Sequence, residues 1–424
     1  MLNRYLLNLI IVTLFFDAQV YSFYLFGARI RPVQVVGLIG FLLVLAASFL
    51  GKVHFRRTFL DLPLWCYLGV NFLAILGSRQ LNRSLKIAIL LISLVILYYL
   101  VVALIPNREV FDRAFRFLLL AGVVEIGFGL YQVAAGLVNI LFKIRLPVGH
   151  LGVFHADYIG APWGRPYGTF VEPDWYGAVC LFFATVFLVL YFNKPERKTF
   201  HLLGLVLSLS GLFLSFVRAA WGGFLFALIF LFIFRKKAEG VRLRPAVVLK
   251  TGHFAAVILL FAVALLPPLQ TIVQKRFFPS TNVERFTTRD IRIHAIEESF
   301  WTFLDSPIIG HGPGTEGEVM SFNPSIVMTA LQDTGILGLF FLIFLLWRFF
   351  AAGLRRVSCS EGAYQPQSFA LIAGLAGLFL TYVLTSGLWL PFTWIFMAIT
   401  VAALSIGRAA GSAPERPMNQ ERCG

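Results

Sequence analysis

The sequence predicts an all-α, polytopic integral membrane protein: a bundle of about 12 transmembrane helices with a large external loop. Three observations predict this class. Hydrophobic residues make up 58% of the 424 residues and charged residues only 13%, against roughly 25% charged residues in soluble domains. Apolar runs of about 18 or more residues recur along the chain, as membrane-spanning helices require. Lys and Arg are distributed unevenly between alternate connecting segments.

Twelve apolar segments predict the spans. Their centres lie near residues 15, 42, 68, 95, 126, 183, 208, 227, 256, 337, 377 and 398. Very short turns separate the segments near 208 and 227 and those near 377 and 398, so ten or eleven spans is the alternative. The first segment follows Arg4 and lacks a small-residue cleavage site, so we interpret it as a span rather than a signal peptide. We expect one membrane domain over residues 1–408 and a disordered tail over 409–424.

The net charge of +15 follows membrane topology, and we expect no nucleic-acid partner. With the N-terminus inside, the short inner segments and both termini carry 21 Lys and Arg, whereas the short outer loops carry six. The outer six are Arg29, Arg31, Arg79, Arg83, Lys86 and Arg218. Because cytoplasmic segments of membrane proteins are enriched in Lys and Arg, this asymmetry predicts that both termini are cytoplasmic.

Two outer segments, about 143–173 and about 267–322, are too long to be simple connections. The second contains a pattern that predicts an amphipathic helix at the outer membrane interface. One face of this helix carries Ile293, Ile296, Phe300, Phe303 and Leu304, and the other carries Arg285, Arg289 and Arg292.

The first long loop ends in a cluster of charged residues at the start of an apolar segment. GRPYGTFVEPDWY at 164–176 contains Arg165, Glu172 and Asp174. Charges at membrane depth are costly, so such a cluster indicates a site for a polar or charged substrate. The alternative for the two acids is ordinary helix capping beside Pro173.

Two more acidic residues, Asp17 and Glu125, lie within apolar segments. Glu125 shares a helix face with Gln132, seven residues on. We interpret both acids as partners in hydrogen bonds between helices.

Four blocks occur in a fixed order over residues 129–340. They are GLYQ at 129–132, RPYGTFVEPDWYG from Arg165, LSFVRAAWGG at 214–223, and the turn Pro307–Gly314 followed by Asp333–Gly338. Together they resemble the O-antigen ligase and O-antigen polymerase family, membrane glycosyltransferases with a large external loop.

The resemblance implies an enzyme of surface polysaccharide synthesis at the outer face of the cytoplasmic (inner) membrane. Such an enzyme takes a glycan from a polyprenyl diphosphate donor embedded in membrane lipid. The acceptor hydroxyl belongs to a second lipid-linked glycan repeat in a polymerase, or to the lipid A core in a ligase. No cofactor is implied.

The residues of these blocks suit that chemistry. The diphosphate leaving group develops negative charge, and guanidinium groups bind phosphate oxygens in pairs and keep their proton. No metal-ligand spacing is present, so we expect arginines to supply the positive field without a metal ion. The candidate diphosphate-binding residues are Arg165, Arg218, Arg289 and Arg292, and the candidate catalytic bases are Glu172 and Asp174. Arg29 and Arg31 lie in no block, so we expect their exchange for lysine to be nearly silent.

The resemblance leaves the branch of the family open. Ligases of the family carry a His-Asn pair just before the last signature span, and Pro324 and Ser325 occupy those positions here. The Glu-Pro pair of the first loop resembles the polymerase branch, so we favour a polymerase over a ligase. A multi-span transporter of a polar or anionic solute is the alternative from another class, although the chain has no evident two-fold repeat. A cell-wall polymerase is a third possibility, but its signature blocks are absent.

Overall fold

The computed structural model describes residues 2–17, 22–25, 28–51, 53–142, 165–238, 241, 289–315, 325–358 and 364–410. α-Helices account for most of them, so the predicted all-α class is confirmed. The helices are α1 (Leu2–Thr13), α2 (Pro32–Phe49), α3 (Asp61–Leu76), α4 (Leu81–Leu104), α5 (Arg108–Phe142), α6 (Pro173–Asn193), α7 (Lys198–Leu214), α8 (Arg218–Phe234), α9 (Arg289–Asp305), α10 (Ile326–Ser358), α11 (Tyr364–Leu384) and α12 (Pro391–Ala410). An antiparallel pair, β1 (Phe23–Leu25) and β2 (Ala28–Ile30), lies between α1 and α2.

In the described part of the chain, eight helices are long and apolar enough to cross a membrane. The chain is therefore a multi-pass membrane protein. Of the other predicted spans, α3 and the Pro391–Ile406 part of α12 are apolar but shorter, and the segment near residue 256 lies outside the described residues, as does the tail after Ala410. The first predicted span is also shorter than expected. Helix α1 ends at Thr13, where the chain turns. Beyond this turn, Asp17 forms an ion pair with Arg31.

Helices α6 and α11 form the centre of the bundle, since 83% of the most apolar stretch of each helix is buried within the protein. α6 packs against α7 and α11, and α8 packs against α11. Gly223 of α8 and Gly377 of α11 allow these two helices to approach closely: a Cβ on Gly223 would lie 2.5 Å from the Gly377 carbonyl oxygen. Small residues at crossings are the usual means by which membrane helices pack closely. Around this centre, α10 packs against α3, and α12 and α2 pack against α4.

Connecting segments predicted to lie on one side of the membrane do contact one another. Arg165 Nε donates to the Ser215 carbonyl oxygen at 2.8 Å, which joins the first long loop to the turn between α7 and α8. Arg292 Nη1 on α9 donates to the carbonyl oxygen of Leu384 at the end of α11, at 3.3 Å. The described parts of the two long loops therefore lie at the same end of the bundle.

Helix α10 is broken at Gly335, whose φ of 65° and ψ of −164° are not helical. At the break the amide of Ile336 donates to the Pro307 carbonyl oxygen at 2.8 Å. A Cβ on Gly335 would lie 2.4 Å from the carbonyl oxygen of Ile308. Glycine is required there because the positive φ disfavours a side chain and the backbone following α9 fills the space.

The two halves of the last sequence block form one unit around this break. The carboxylate of Asp333 accepts hydrogen bonds from the amides of Gly314, at 2.9 Å, and Thr315, at 3.3 Å. The amide of His311 donates to the Gln332 carbonyl oxygen at 3.0 Å. The glycine-rich turn after α9 is thus fixed to the first turns of α10.

The predicted loop helix is present as α9, and Phe303 of its predicted apolar face is buried against the protein. Ala295, Ser299 and Phe303, spaced four residues apart, are buried, whereas Ile293, Phe300 and Leu304 of the predicted apolar face remain exposed. Small side chains at 295 and 299 permit close packing, and α9 packs against α10. Arg285 lies outside the described residues.

Candidate functional site

Helix α5 holds the end of the first long loop through two buried polar side chains. Gln132 Oε1 accepts hydrogen bonds from the amides of Tyr167, at 3.1 Å, and Gly168, at 2.9 Å, and its Nε2 donates to the Gly168 carbonyl oxygen at 2.9 Å. Glu125 Oε1 accepts from the Thr169 amide at 2.7 Å. The predicted hydrogen bonding of Glu125 therefore exists, but its partner is a loop rather than another helix. The backbone of this loop segment forms no regular secondary structure, so these side chains supply partners for its amide and carbonyl groups.

Arg165 lies at the start of this described loop segment and is largely enclosed, with 12% of its side chain exposed. Its Nε binds the carbonyl oxygen of Ser215, and its Nη2 lies 3.2 Å from Asp174 Oδ1. Burial lowers the pKa of the Arg165 guanidinium, and the adjacent Asp174 opposes that shift. The guanidinium is thus held in position by a carbonyl group on one side and a carboxylate on the other.

Arg292 reaches the same carboxylate from the second long loop. Its Nη2 lies 3.2 Å from Asp174 Oδ2, and 39% of its side chain is exposed. Asp174 therefore bridges two arginines that belong to different loops. Because one carboxylate carries one negative charge and the two guanidiniums carry two positive charges, this cluster keeps a net positive charge.

Glu172 lies beside this cluster as the residue preceding α6, where Pro173 begins the helix. Its side chain does not cap the helix, and no hydrogen bond or ion pair to its carboxylate occurs within the described part of the chain. Burial raises the pKa of Glu172 to about 7, and the negative charges of Asp174 and Asp17 add to the rise, whereas Arg292 and Arg165 oppose it. A carboxylate of this kind can take a proton near neutral pH.

The two remaining predicted arginines flank the cluster. Arg218 is the first residue of α8, three residues after Ser215, and its side chain is exposed. Among the described residues, no hydrogen bond or ion pair engages its guanidinium. Arg289 begins α9, about one helical turn before Arg292, but its side chain lies outside the described part of the structure.

Sequence reasoning missed the contribution of the segment between α1 and α2. Asp17 is buried and pairs with Arg31, and its second oxygen lies 3.7 Å from Arg29 Nη2. Thr169 Oγ1 donates to the Phe15 carbonyl oxygen, which joins this segment to the loop carrying Glu172. An acid and two arginines close together in the sequence were the available signal, but their mutual contact depends on the folded hairpin.

No group of three or more His, Cys, Asp or Glu side chains able to hold a metal ion occurs among the residues that the structure describes. The site instead combines arginines, which suit phosphate oxygens, with an unpaired carboxylate, which suits proton transfer.

Part of the chain matches a known protein family. A family model described as O-antigen ligase matches residues 203–343, about a third of the chain. The match covers α7, α8, α9, the glycine-rich turn and the broken start of α10. No curated protein matches the chain. The family match supports glycan transfer within a membrane in surface polysaccharide synthesis. The predicted resemblance is therefore confirmed: over residues 203–343 the chain is similar to the O-antigen ligase and polymerase family.

Proposed function

We propose that the protein is a glycosyltransferase that polymerises glycan repeats linked to polyprenyl diphosphate at the outer face of the cytoplasmic membrane. One observation carries the proposal. Arg165 and Arg292, from two separate loops, meet at the carboxylate of Asp174, and their charges act on Glu172, whose carboxylate has no ion-pair partner within the described ranges. A diphosphate needs at least two fixed cations, and an acceptor hydroxyl needs a base within reach.

The proposed reaction is a displacement at the anomeric carbon of the donor glycan. The acceptor hydroxyl oxygen forms the new glycosidic bond, and the bond between the anomeric carbon and the diphosphate oxygen breaks. Glu172 takes the proton of the acceptor hydroxyl. Arg165, Arg292 and Arg218 stabilise the negative charge that develops on the departing polyprenyl diphosphate, and we keep Arg289 with them because it lies one turn from Arg292.

Glu172 and Asp174 have different roles in this proposal. Asp174 accepts one ion pair on each carboxylate oxygen, from Arg165 and Arg292. Both carboxylate oxygens of Asp174 are therefore already engaged by guanidinium groups. We therefore infer that Asp174 orients the two arginines before the donor binds, and that Glu172 acts as the base.

The preference for a polymerase over a ligase rests on two short motifs. The ligase-type His-Asn positions are Pro324 and Ser325 in this chain, whereas Glu172 precedes Pro173 in the site. The proposed acceptor is accordingly a second lipid-linked glycan repeat rather than the lipid A core.

Glycan analysis of a strain that lacks this gene tests the proposal. We expect lipid-linked glycans limited to a single repeat, because repeats are made but not joined. Long lipid-linked chains that never reach their acceptor would instead identify a ligase. Unchanged surface glycan together with a loss of solute uptake would identify a transporter.

We predict that transfer does not require a divalent metal ion, because the arginines supply the positive charge that a metal supplies in other glycosyltransferases. Purified protein assayed with its lipid-linked donor should keep full activity after EDTA treatment. Loss of activity with EDTA that is reversed by magnesium or manganese would contradict this.

We also propose that both termini are cytoplasmic and that the site faces outward, because the charge count of 21 against six follows the positive-inside rule. A reporter enzyme active only outside the cytoplasmic membrane, fused near Ser280, should be active. A cytoplasmic result would place the donor site on the wrong face for this reaction.

A further inference from the structure

The turn that carries the candidate site is held by an unusual set of hydrogen bonds at Thr169. Thr169 Oγ1 contacts two oxygen atoms: the Phe15 carbonyl oxygen and, at 2.8 Å, Glu125 Oε2. The hydroxyl group has one hydrogen and the carbonyl oxygen cannot donate. If the hydroxyl donates to Phe15, the contact with Glu125 is attractive only when Glu125 itself carries a hydrogen.

The environment of Glu125 leads to the same conclusion. Its side chain is buried within α5, and the residue is 4% exposed. No cation pairs with it within the described ranges of the chain, where the ion pairs of the site involve Asp174 and Asp17 instead. Burial of an ionised carboxylate without a cation carries a large desolvation cost, which a neutral acid with both oxygens hydrogen-bonded avoids.

We propose that Glu125 is a neutral carboxylic acid that positions the Gly168–Thr169 turn. Its Oε2–H donates to Thr169 Oγ1, and its Oε1 accepts from the Thr169 amide. With Gln132, which binds the Gly168 amide and carbonyl groups, it fixes the backbone midway between Arg165 and Glu172. Glu125 is thus a positioning residue, and neither it nor Gln132 contacts the substrate.

Gly168 shows how closely the acid and the turn fit together. Its φ is 59°, and a Cβ at this position would lie 1.9 Å from Glu125 Oε1. A side chain there would therefore displace the acid as well as strain the backbone. Thr169 precedes Glu172 by three residues, so a displaced turn moves the proposed base relative to the arginines.

Substitution of Glu125 separates this proposal from the alternatives. In Glu125→Gln the amide group can donate to Thr169 Oγ1 and its oxygen can accept from the Thr169 amide, so we expect kcat within about twofold of the wild-type value. Glu125→Ala and Thr169→Val remove the link, and we expect kcat to fall about ten- to a hundredfold because reacting groups are misplaced. KM should change little, because Ser215 and Asp174 hold Arg165 independently. Thr169→Ser should restore activity.

The activity measurements rest on the proposed function, so a second readout is needed that does not. The infrared spectrum of the purified protein in lipid at neutral pH should contain the carbonyl stretch of a protonated carboxylic acid that is lost in Glu125→Gln. Glu109→Gln is the matched control on the same helix, because Glu109 is 71% exposed and paired with Arg113; it should leave that band unchanged.

The outcomes are distinct. A missing acid band in the wild-type difference spectrum overturns the proposal whether or not the protein transfers glycan. An inactive but well-folded Glu125→Gln protein also overturns it, because ionised Glu125 would then be required. If the band is present and the wild-type protein transfers no glycan, the neutral acid stands and the proposed function fails.

Discussion

Exchange of Arg165, Arg218 or Arg292 for lysine is expected to lower glycan transfer about ten- to a hundredfold while leaving folding and membrane insertion intact. Lysine keeps the positive charge but loses the planar pair of donors that binds two phosphate oxygens. A lost charge-assisted hydrogen bond costs roughly 1.5–3 kcal/mol, which corresponds to that range of rates. Transfer rates of purified variants at equal amounts of folded protein measure the effect.

Of the three arginines, Arg218 provides the clearest test of ligand binding. Its guanidinium makes no hydrogen bond or ion pair to other described residues, so its loss reports on a ligand alone. Arg79→Lys is the matched control: Arg79 lies at the same end of the bundle as α9, and it pairs with Asp305 at 3.3 Å with 59% of each side chain exposed. An exposed pair of this kind contributes little. Equal activity in all four variants would reduce these arginines to membrane anchors.

Arg29 and Arg31 appeared from sequence to be suitable silent controls, but the structure makes them unsuitable. Arg31 is buried and pairs with Asp17, and the charge of Asp17 influences Glu172. A variant at Arg31 would change the electrostatics of the candidate base. The sequence places these residues outside every matched block, and only the folded hairpin between α1 and α2 brings them towards the site.

The membrane fold itself was predictable, because a bilayer requires each spanning segment to satisfy its own backbone hydrogen bonds. Apolar length therefore indicated most of the helices. The exceptions depend on tertiary contacts. Helix α1 ends early beside the Asp17–Arg31 pair, and α10 breaks at Gly335, where the backbone of Pro307 replaces a helical partner. Neither contact could be read from local apolar periodicity.

The candidate site was predictable only as a set of charged residues near the membrane boundary. Arg165 and Asp174 lie nine residues apart, so their proximity followed from the sequence. The approach of Arg292 to Asp174 requires the docking of α9, whose buried face combines the small residues at 295 and 299 with Phe303. The sequence also could not separate the roles of Glu172 and Asp174, which depend on which acid the arginines engage.

Glu172→Gln is expected to give the largest loss of activity, about a hundred- to ten-thousandfold in kcat, because a general base contributes about that much. Glutamine keeps the size and polarity of the side chain but cannot take the acceptor proton. In the wild-type protein the base works only when ionised. Because the pKa of Glu172 is about 7, the transfer rate should rise as pH increases through about 7. The transfer rate of each protein, measured across this pH range, tests both expectations.

Asp174→Asn provides the matched test of the assignment. Asp174 raises the pKa of Glu172 through its negative charge, so its removal should shift the midpoint of the pH–rate profile to lower pH. The same change frees Arg165 and Arg292, whose positive charges then act on Glu172 without a counterion and move the midpoint in the same direction. The Asp174→Asn protein should keep a sloping pH profile, whereas residual activity of Glu172→Gln should lose this slope. A Glu172→Gln protein with wild-type activity, or an unshifted midpoint in Asp174→Asn, would show that another group takes the proton.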